Sequence, residues 1–129
     1  MLVLLFRCGF ATAIATITWL ALTSSPVALG LGWWDKSNHL IAFLVLSFLL
    51  DYSAPVPATK PWWRGINATK WVCLLAYGVG IEGLQWYSGV RQAELSDVAA
   101  DLVGIGAYIA IRPLVQRVEL LVRLRIERP

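Results

Sequence analysis

Long apolar runs separated by short polar stretches organise this chain. The first run, Leu2 to Leu22, holds a single charge, Arg7. Its length matches the ~20 residues that a bilayer core requires. Arg7 stands near its start, where a long basic side chain snorkels to the interface. A second segment covers about 33–52. Its purely apolar part, Leu40 to Leu50, is too short to span alone, so the polar head Asp35-Lys36-Ser37-Asn38-His39 belongs to the same helix. A third segment, about 70–87, contains Glu82 and Gln85. The fourth, about 97–115, opens on Asp97 and Asp101. Pro55, Pro57 and Pro61 keep the middle connection from being a regular helix. The tail, 116–129, is basic and reads as a helical extension carrying Arg117, Arg123, Arg125 and Arg128.

This pattern predicts an all-α protein, a single transmembrane domain built as an integral membrane bundle of about four helices. In lipid every backbone polar group needs an internal partner, which helices supply within themselves. A membrane barrel would need alternating strands of about ten residues, and these are absent. The first run also resembles a signal peptide, with Ala28-Leu29-Gly30 as a small-residue cleavage site. Its length and weak basic head disfavour that reading.

Composition strengthens the membrane expectation. The chain has 129 residues, 58% of them hydrophobic and 15% charged, and a mean hydropathy of +0.66. Soluble domains carry about 25% charged residues, and a chain this short has too little interior to hide so much apolar surface. The seven tryptophans favour a membrane–water interface. Net charge is only +3, and the basic residues follow the topology instead of forming a groove, which argues against a nucleic-acid partner. Cys8 and Cys73 lack metal-type spacing and read as packed small apolar residues, not as a disulfide.

Charge also predicts orientation. Four spans put the termini and the middle loop on one side, with Arg7, Lys60, Arg64, Lys70, Arg112, Arg117, Arg123, Arg125 and Arg128. The other side holds Lys36 and Arg91. Both termini are therefore expected to be cytoplasmic. The inner halves of the spans read as nearly bare, with Asp51 close to the interface.

The candidate chemistry then falls at the extracytoplasmic ends. Asp35, Lys36 and His39 share a face at i, i+3 and i+4. Glu82 and Gln85 share one at i, i+3, and Asp97 and Asp101 at i, i+4. Arg91 lies in the loop between the last two segments. Placing such groups in a membrane costs roughly 3 kcal/mol each on insertion scales. Lys36 or Arg91 bridging the acids would make a charge-paired plug that fixes packing. Four acids against two cations and one imidazole leave acid over, which favours an outward-opening polar site. Ser37 and Ser96 read as helix caps. Gly78, Gly80 and Gly83 surround Glu82, and Gly104, Gly106, Ala107 and Ala110 line the fourth helix, all suited to close packing. Gly78-Val79-Gly80-Ile81-Glu82-Gly83 matches a dinucleotide fingerprint only formally, because no strand precedes it.

Taken in order, Asp35-Lys36-x-x-His39-x-x-x-Phe43, Glu82-x-x-Gln85, Arg91 and Asp97-x-x-x-Asp101-x-x-Gly104 resemble the VanZ-like family, named for a teicoplanin-resistance protein. The resemblance covers about residues 33–111. It departs at Asp101, where the family pattern often has Asn, which makes this site more acidic. The resemblance implies a multi-pass protein of the bacterial cytoplasmic (inner) membrane linked to the cell envelope.

Three functions follow as expectations. The first is a pocket of Asp35, Lys36, His39, Glu82, Gln85, Arg91, Asp97 and Asp101 that binds a membrane lipid headgroup or amphiphile. In it Lys36 and Arg91 meet phosphate or carboxylate, and the acids meet ammonium or hydroxyl. The second is a membrane enzyme acting on a lipid-linked substrate, with Asp97, Glu82 or His39 as base. The third is a transporter subunit, disfavoured because the polar residues occupy one leaflet and no inverted repeat is present. No cofactor is required, although the acid surplus leaves room for a divalent metal. Oligomerisation stays open.

Overall fold

The computed structural model describes residues 2–23, 35–53, 68–89 and 92–118; the side chains of Leu2 and Asp35 lie outside that description. It contains four helices, α1 (Leu2–Ala21), α2 (Asp35–Ser53), α3 (Ala68–Ser88) and α4 (Leu95–Val115), and no strand among the described residues. Two of them, α1 over Val3–Ala21 and α4 over Leu95–Val115, are long and apolar enough to cross a membrane. Helices α2 and α3 carry His39, Asp51, Lys70, Glu82 and Gln85 within their length, which lowers their apolarity.

Helices α2, α3 and α4 each bury one regular stripe. On α4 the buried residues are Asp97, Asp101, Gly104, Ile105, Tyr108 and Arg112. Steps of three and four keep them on one face. On α3 the stripe is Trp71, Leu74, Gly78, Ile81, Glu82 and Gln85. On α2 it includes Phe43, Leu46, Ser47 and Asp51. Phe43, Leu46, Trp71, Leu74, Ile105 and Tyr108 form the apolar centre, with Phe10, Ile14 and Ile17 of α1 against it. Polar residues continue these same stripes beyond the apolar centre, so the packing that forms the core also delivers them inward.

The closest association is between α2 and α4, followed by α1 with α2. Gly104 explains the first. A Cβ there would run into the Leu40 carbonyl oxygen and would stand 3.1 Å from both the Leu44 nitrogen and the Phe43 Cβ. Hydrogen alone lets the two backbones approach so closely. The expected small-residue seam is narrower than the sequence suggests. Gly80, Gly83 and Gly106 have no neighbour within 4 Å of a built Cβ, and Ala110 is exposed.

Hydrogen bonds fix the helix directions. The Gln85 Nε2 donates to the Ala21 carbonyl at 2.9 Å, and the Tyr77 and Thr18 hydroxyls meet at 2.9 Å. At the other end the Arg7 Nε donates to the Ser53 carbonyl at 3.0 Å. The ends of α1 and α3 therefore meet the starts of α2 and α4, and successive helices run up and down.

Three expectations need correction. Helix α4 starts at Leu95, with Glu94 as the cap residue and no side-chain cap bond. Ser96 sits inside its first turn and donates instead to the Glu94 Oε2 at 2.9 Å. Ser37 likewise lies within α2. Cys8 and Cys73 are free thiols on the outward surface, not packed inside.

The third correction concerns the end of the bundle expected to be bare. Arg112, counted by sequence among loop cations, is fully buried (0% exposed) against Asp51 (1%). Its Nε donates to the Asp51 Oδ2 at 2.8 Å and its Nη2 to the Oδ1 at 3.2 Å. The Tyr108 hydroxyl donates to the same Oδ2 at 2.9 Å. This two-point Arg–carboxylate geometry is the strong form of the interaction. Arg112 follows Tyr108 by one helical turn, so the buried face of α4 continues through it.

Candidate functional site

At the end where α2 and α4 start and α3 finishes, four ionisable side chains converge. Each owes its position to the buried stripe of its helix. His39 is one turn before Phe43 on α2. Glu82 follows Gly78 by one turn on α3. Asp97 and Asp101 occupy the first two turns of α4. The His39 Nδ1 lies 2.8 Å from the Asp101 Oδ1. Its other nitrogen, Nε2, stands 3.9 Å from the Glu82 Oε1 and 4.0 Å from the Asp97 Oδ2. The imidazole thus faces three carboxylates at once. Glu82, Asp97 and Asp101 are 4%, 3% and 0% exposed, and His39 is part-buried at the mouth.

The carboxylates have fewer donors than they accept. The Glu82 Oε2 receives the Glu94 backbone N–H at 3.0 Å. Among the described residues, the Glu82 Oε1, Asp97 Oδ1 and Asp101 Oδ2 are buried with no hydrogen-bond partner. Leaving a buried acceptor unsatisfied costs about 1–3 kcal/mol, and more for a charged one. Three such carboxylate oxygens on two helices, α3 and α4, in one small space set this end apart from ordinary packing.

Gly78 contributes the floor. A Cβ there would collide with the Asp101 Oδ2 and would stand 2.9 Å from the Phe43 Cζ. The glycine thereby lets Asp101 reach His39 beneath α3. Sequence reading noticed this glycine for helix packing; its role is to admit a side chain.

The expected site residues divide accordingly. His39, Glu82, Asp97 and Asp101 come together. Gln85 is buried beside them, but its amide nitrogen is committed to Ala21. Lys36 bridges none of these acids; it stands at the rim, exposed, 3.8 Å from the Glu94 Oε2. Asp35 begins α2, and its side chain lies outside the described residues, as does all of Arg91. Glu94, outside the expected set, fixes Glu82 through its backbone N–H. The sequence signal for that contact is its place just before the start of α4, where helix N–H groups are free to donate.

Chemically, the arrangement offers an imidazole held by one carboxylate and directed at two others. It suits a cation, a metal ion or a ligand rich in hydrogen-bond donors. Compared with protein-family models, with curated proteins and with solved structures, the chain matches none.

Proposed function

We propose that this chain is a four-span membrane protein whose acid–imidazole pocket binds the polar headgroup of an amphiphile or envelope lipid. One observation carries the reading: three buried carboxylates converge on His39 and keep oxygens with no partner among the described residues. A purely structural cluster would pair those atoms, as the cluster at the other end does. A headgroup that brings ammonium or hydroxyl donors satisfies them, and Lys36 at the rim is placed to meet an accompanying phosphate.

The membrane half of the reading is supported by the outward faces. Trp19, Val72, Val79, Trp86, Tyr87 and Leu102 are all more than half exposed. Apolar surface on every side of a bundle is costly in water and stable in lipid. With four spans and the charge distribution of the loops, both termini are cytoplasmic and the pocket opens outward. The motif order resembles that of the VanZ-like family, which favours the bacterial inner membrane and a role in the cell envelope or in resistance to a teicoplanin-like glycopeptide.

An enzymatic reading is favoured by one specific contact. Asp101 holds His39 so that its second nitrogen is presented to the pocket, the arrangement of a general base. Turnover of lipid-linked substrates by purified protein separates the two readings. A transport path is disfavoured, because a closed Asp51–Arg112 pair fills the other end of the bundle.

The test is lipid retention. Protein purified in mild detergent is analysed by native mass spectrometry as wild type and as the Glu82→Ala and Asp101→Ala variants. Wild type is expected to carry a bound lipid that both variants lose. Equal retention by variants with intact helical content overturns the reading.

A further inference from the structure

We propose that His39, Glu82 and Asp97 bind a divalent transition-metal ion of the zinc class, with Asp101 as the outer partner that orients the histidine. The inference rests on reading these residues as one ligand-binding site, and not on the identity of any headgroup.

The donor set comes first. One ligand atom from each of His39, Glu82 and Asp97 lies within 4.8 Å of the other two. Each comes from a different helix, so the backbone already fixes the spacing. The gaps from the His39 Nε2 to the two acids, 3.9 and 4.0 Å, are too long for hydrogen bonds. Ligand atoms around an ion at about 2.0–2.2 Å stand about 3–3.5 Å apart. Glu82 and Asp97 therefore need to approach the Nε2 by about half an ångström, which small side-chain rotations supply.

The tautomer comes second. Asp101 takes the His39 Nδ1 at 2.8 Å, so the proton of the neutral imidazole belongs on that nitrogen. The Nε2 lone pair is left facing Glu82 and Asp97. A carboxylate behind a histidine is the usual outer support of a histidine ligand, fixing the ring and raising its basicity. Gly78 is what makes room for it.

A third observation is independent of the clustering. The Glu82 Oε1 and the Asp97 Oδ1 are buried without a partner among the described residues, and the first is the oxygen nearest the imidazole. Burial without a donor is unfavourable for a carboxylate; a cation between the three side chains satisfies the Glu82 Oε1 directly and neutralises the Asp97 carboxylate, whose Oδ2 faces the imidazole. The imidazole selects a transition metal over magnesium or calcium, which prefer all-oxygen shells. Three protein ligands leave a position open, the pattern of sites where a metal meets a water or a ligand oxygen. That position accepts a phosphate or carboxylate oxygen, beside Lys36 at the rim.

The test uses the full chain in detergent, stripped with EDTA and then given Zn²⁺ or Co²⁺ alone. Wild type is expected to take up a single ion per chain, and bound Co²⁺ to show visible ligand-field bands of low coordination number. His39→Ala, Glu82→Gln and Asp97→Asn should lose stoichiometric uptake. Asp101→Asn should weaken binding by about 10–100-fold. Cys73→Ser, at an exposed thiol near the other end of α3, should leave it unchanged. Wild type with intact helical content that takes up no ion and shows no Co²⁺ bands overturns the site, whatever the variants do. Lipid retained by such metal-free protein would leave the headgroup reading standing. Metal uptake with no lipid retained would do the reverse.

Discussion

Two polar clusters lie between α2 and α4, separated by about 18 Å of helix rise from His39 to Asp51. They are built from the same kinds of group and are satisfied to opposite degrees. At the Asp51 end, one carboxylate faces one guanidinium, and each of its oxygens receives a donor. At the His39 end, three carboxylates share one imidazole, and three buried oxygens receive nothing among the described residues. Burial alone therefore does not mark a functional site, since Arg112 is as deeply buried as Asp101. The mark is an imbalance that the fold tolerates but does not need. The balanced cluster acts as a clasp between two helices, whereas the unbalanced one keeps the acceptor atoms on which our proposal of a positively charged or donor-rich partner rests.

The largest break in that comparison comes from Asp51→Asn. It keeps the shape of the side chain and removes the charge opposite a fully buried Arg112. Breaking a buried pair from one side costs about 3–5 kcal/mol, so chemical or thermal unfolding in detergent should show a loss of that order. Replacing both partners in Asp51→Leu with Arg112→Met should recover most of it, because no charge is then left unpaired. A double variant as unstable as the single one would mean that the clasp acts through its contacts and not through charge balance.

A smaller effect tests the seam that holds both clusters together. Gly104→Ala forces a methyl group against the Leu40 carbonyl, and backbone yields less readily than side chain. Overpacking of this kind costs about 1–3 kcal/mol. Gly106→Ala, where a Cβ meets nothing within 4 Å, should be neutral or slightly stabilising, since Ala is the better helix former. Because α2 and α4 carry residues of both clusters, Gly104→Ala should also weaken metal uptake at His39. Equal unfolding midpoints for the two variants would show that the close approach is dispensable.

The two clusters were not equally legible in the sequence. The four helices follow from apolar runs broken by short polar stretches, and the His39 end follows from acids placed at helix starts and ends, where run boundaries expose them. Asp51 and Arg112 were hidden by the same logic. Each lies near the end of a run, where a charge is ordinarily explained by the interface. Only the helical phase relates Arg112 to Tyr108 and Asp101, and only tertiary packing shows that Asp51 meets it. Gln85 failed in the opposite sense: its spacing from Glu82 suggested a ligand-binding amide, but the unpaired carbonyl at the end of α1 claims its nitrogen. Sequence periodicity fixes which face a residue occupies, whereas its partner depends on where neighbouring helices end.

The smallest expected change is the most telling, because its sign differs between the clusters. Asp97→Asn is the same chemical change as Asp51→Asn, made at the other end of the same helix pair. In metal-free protein it removes one of three crowded negative charges and leaves no cation stranded. The Asp101 bond to His39 and the Glu94 N–H bond to Glu82 both remain. Stability should therefore hold or rise, by zero to about 1 kcal/mol, where Asp51→Asn loses several. Unfolding curves of the two variants, recorded side by side without metal, make the comparison direct. A loss of 3 kcal/mol or so in Asp97→Asn would mean that the acids at this end are already paired within the chain. No cation or donor-rich partner would then be needed around His39.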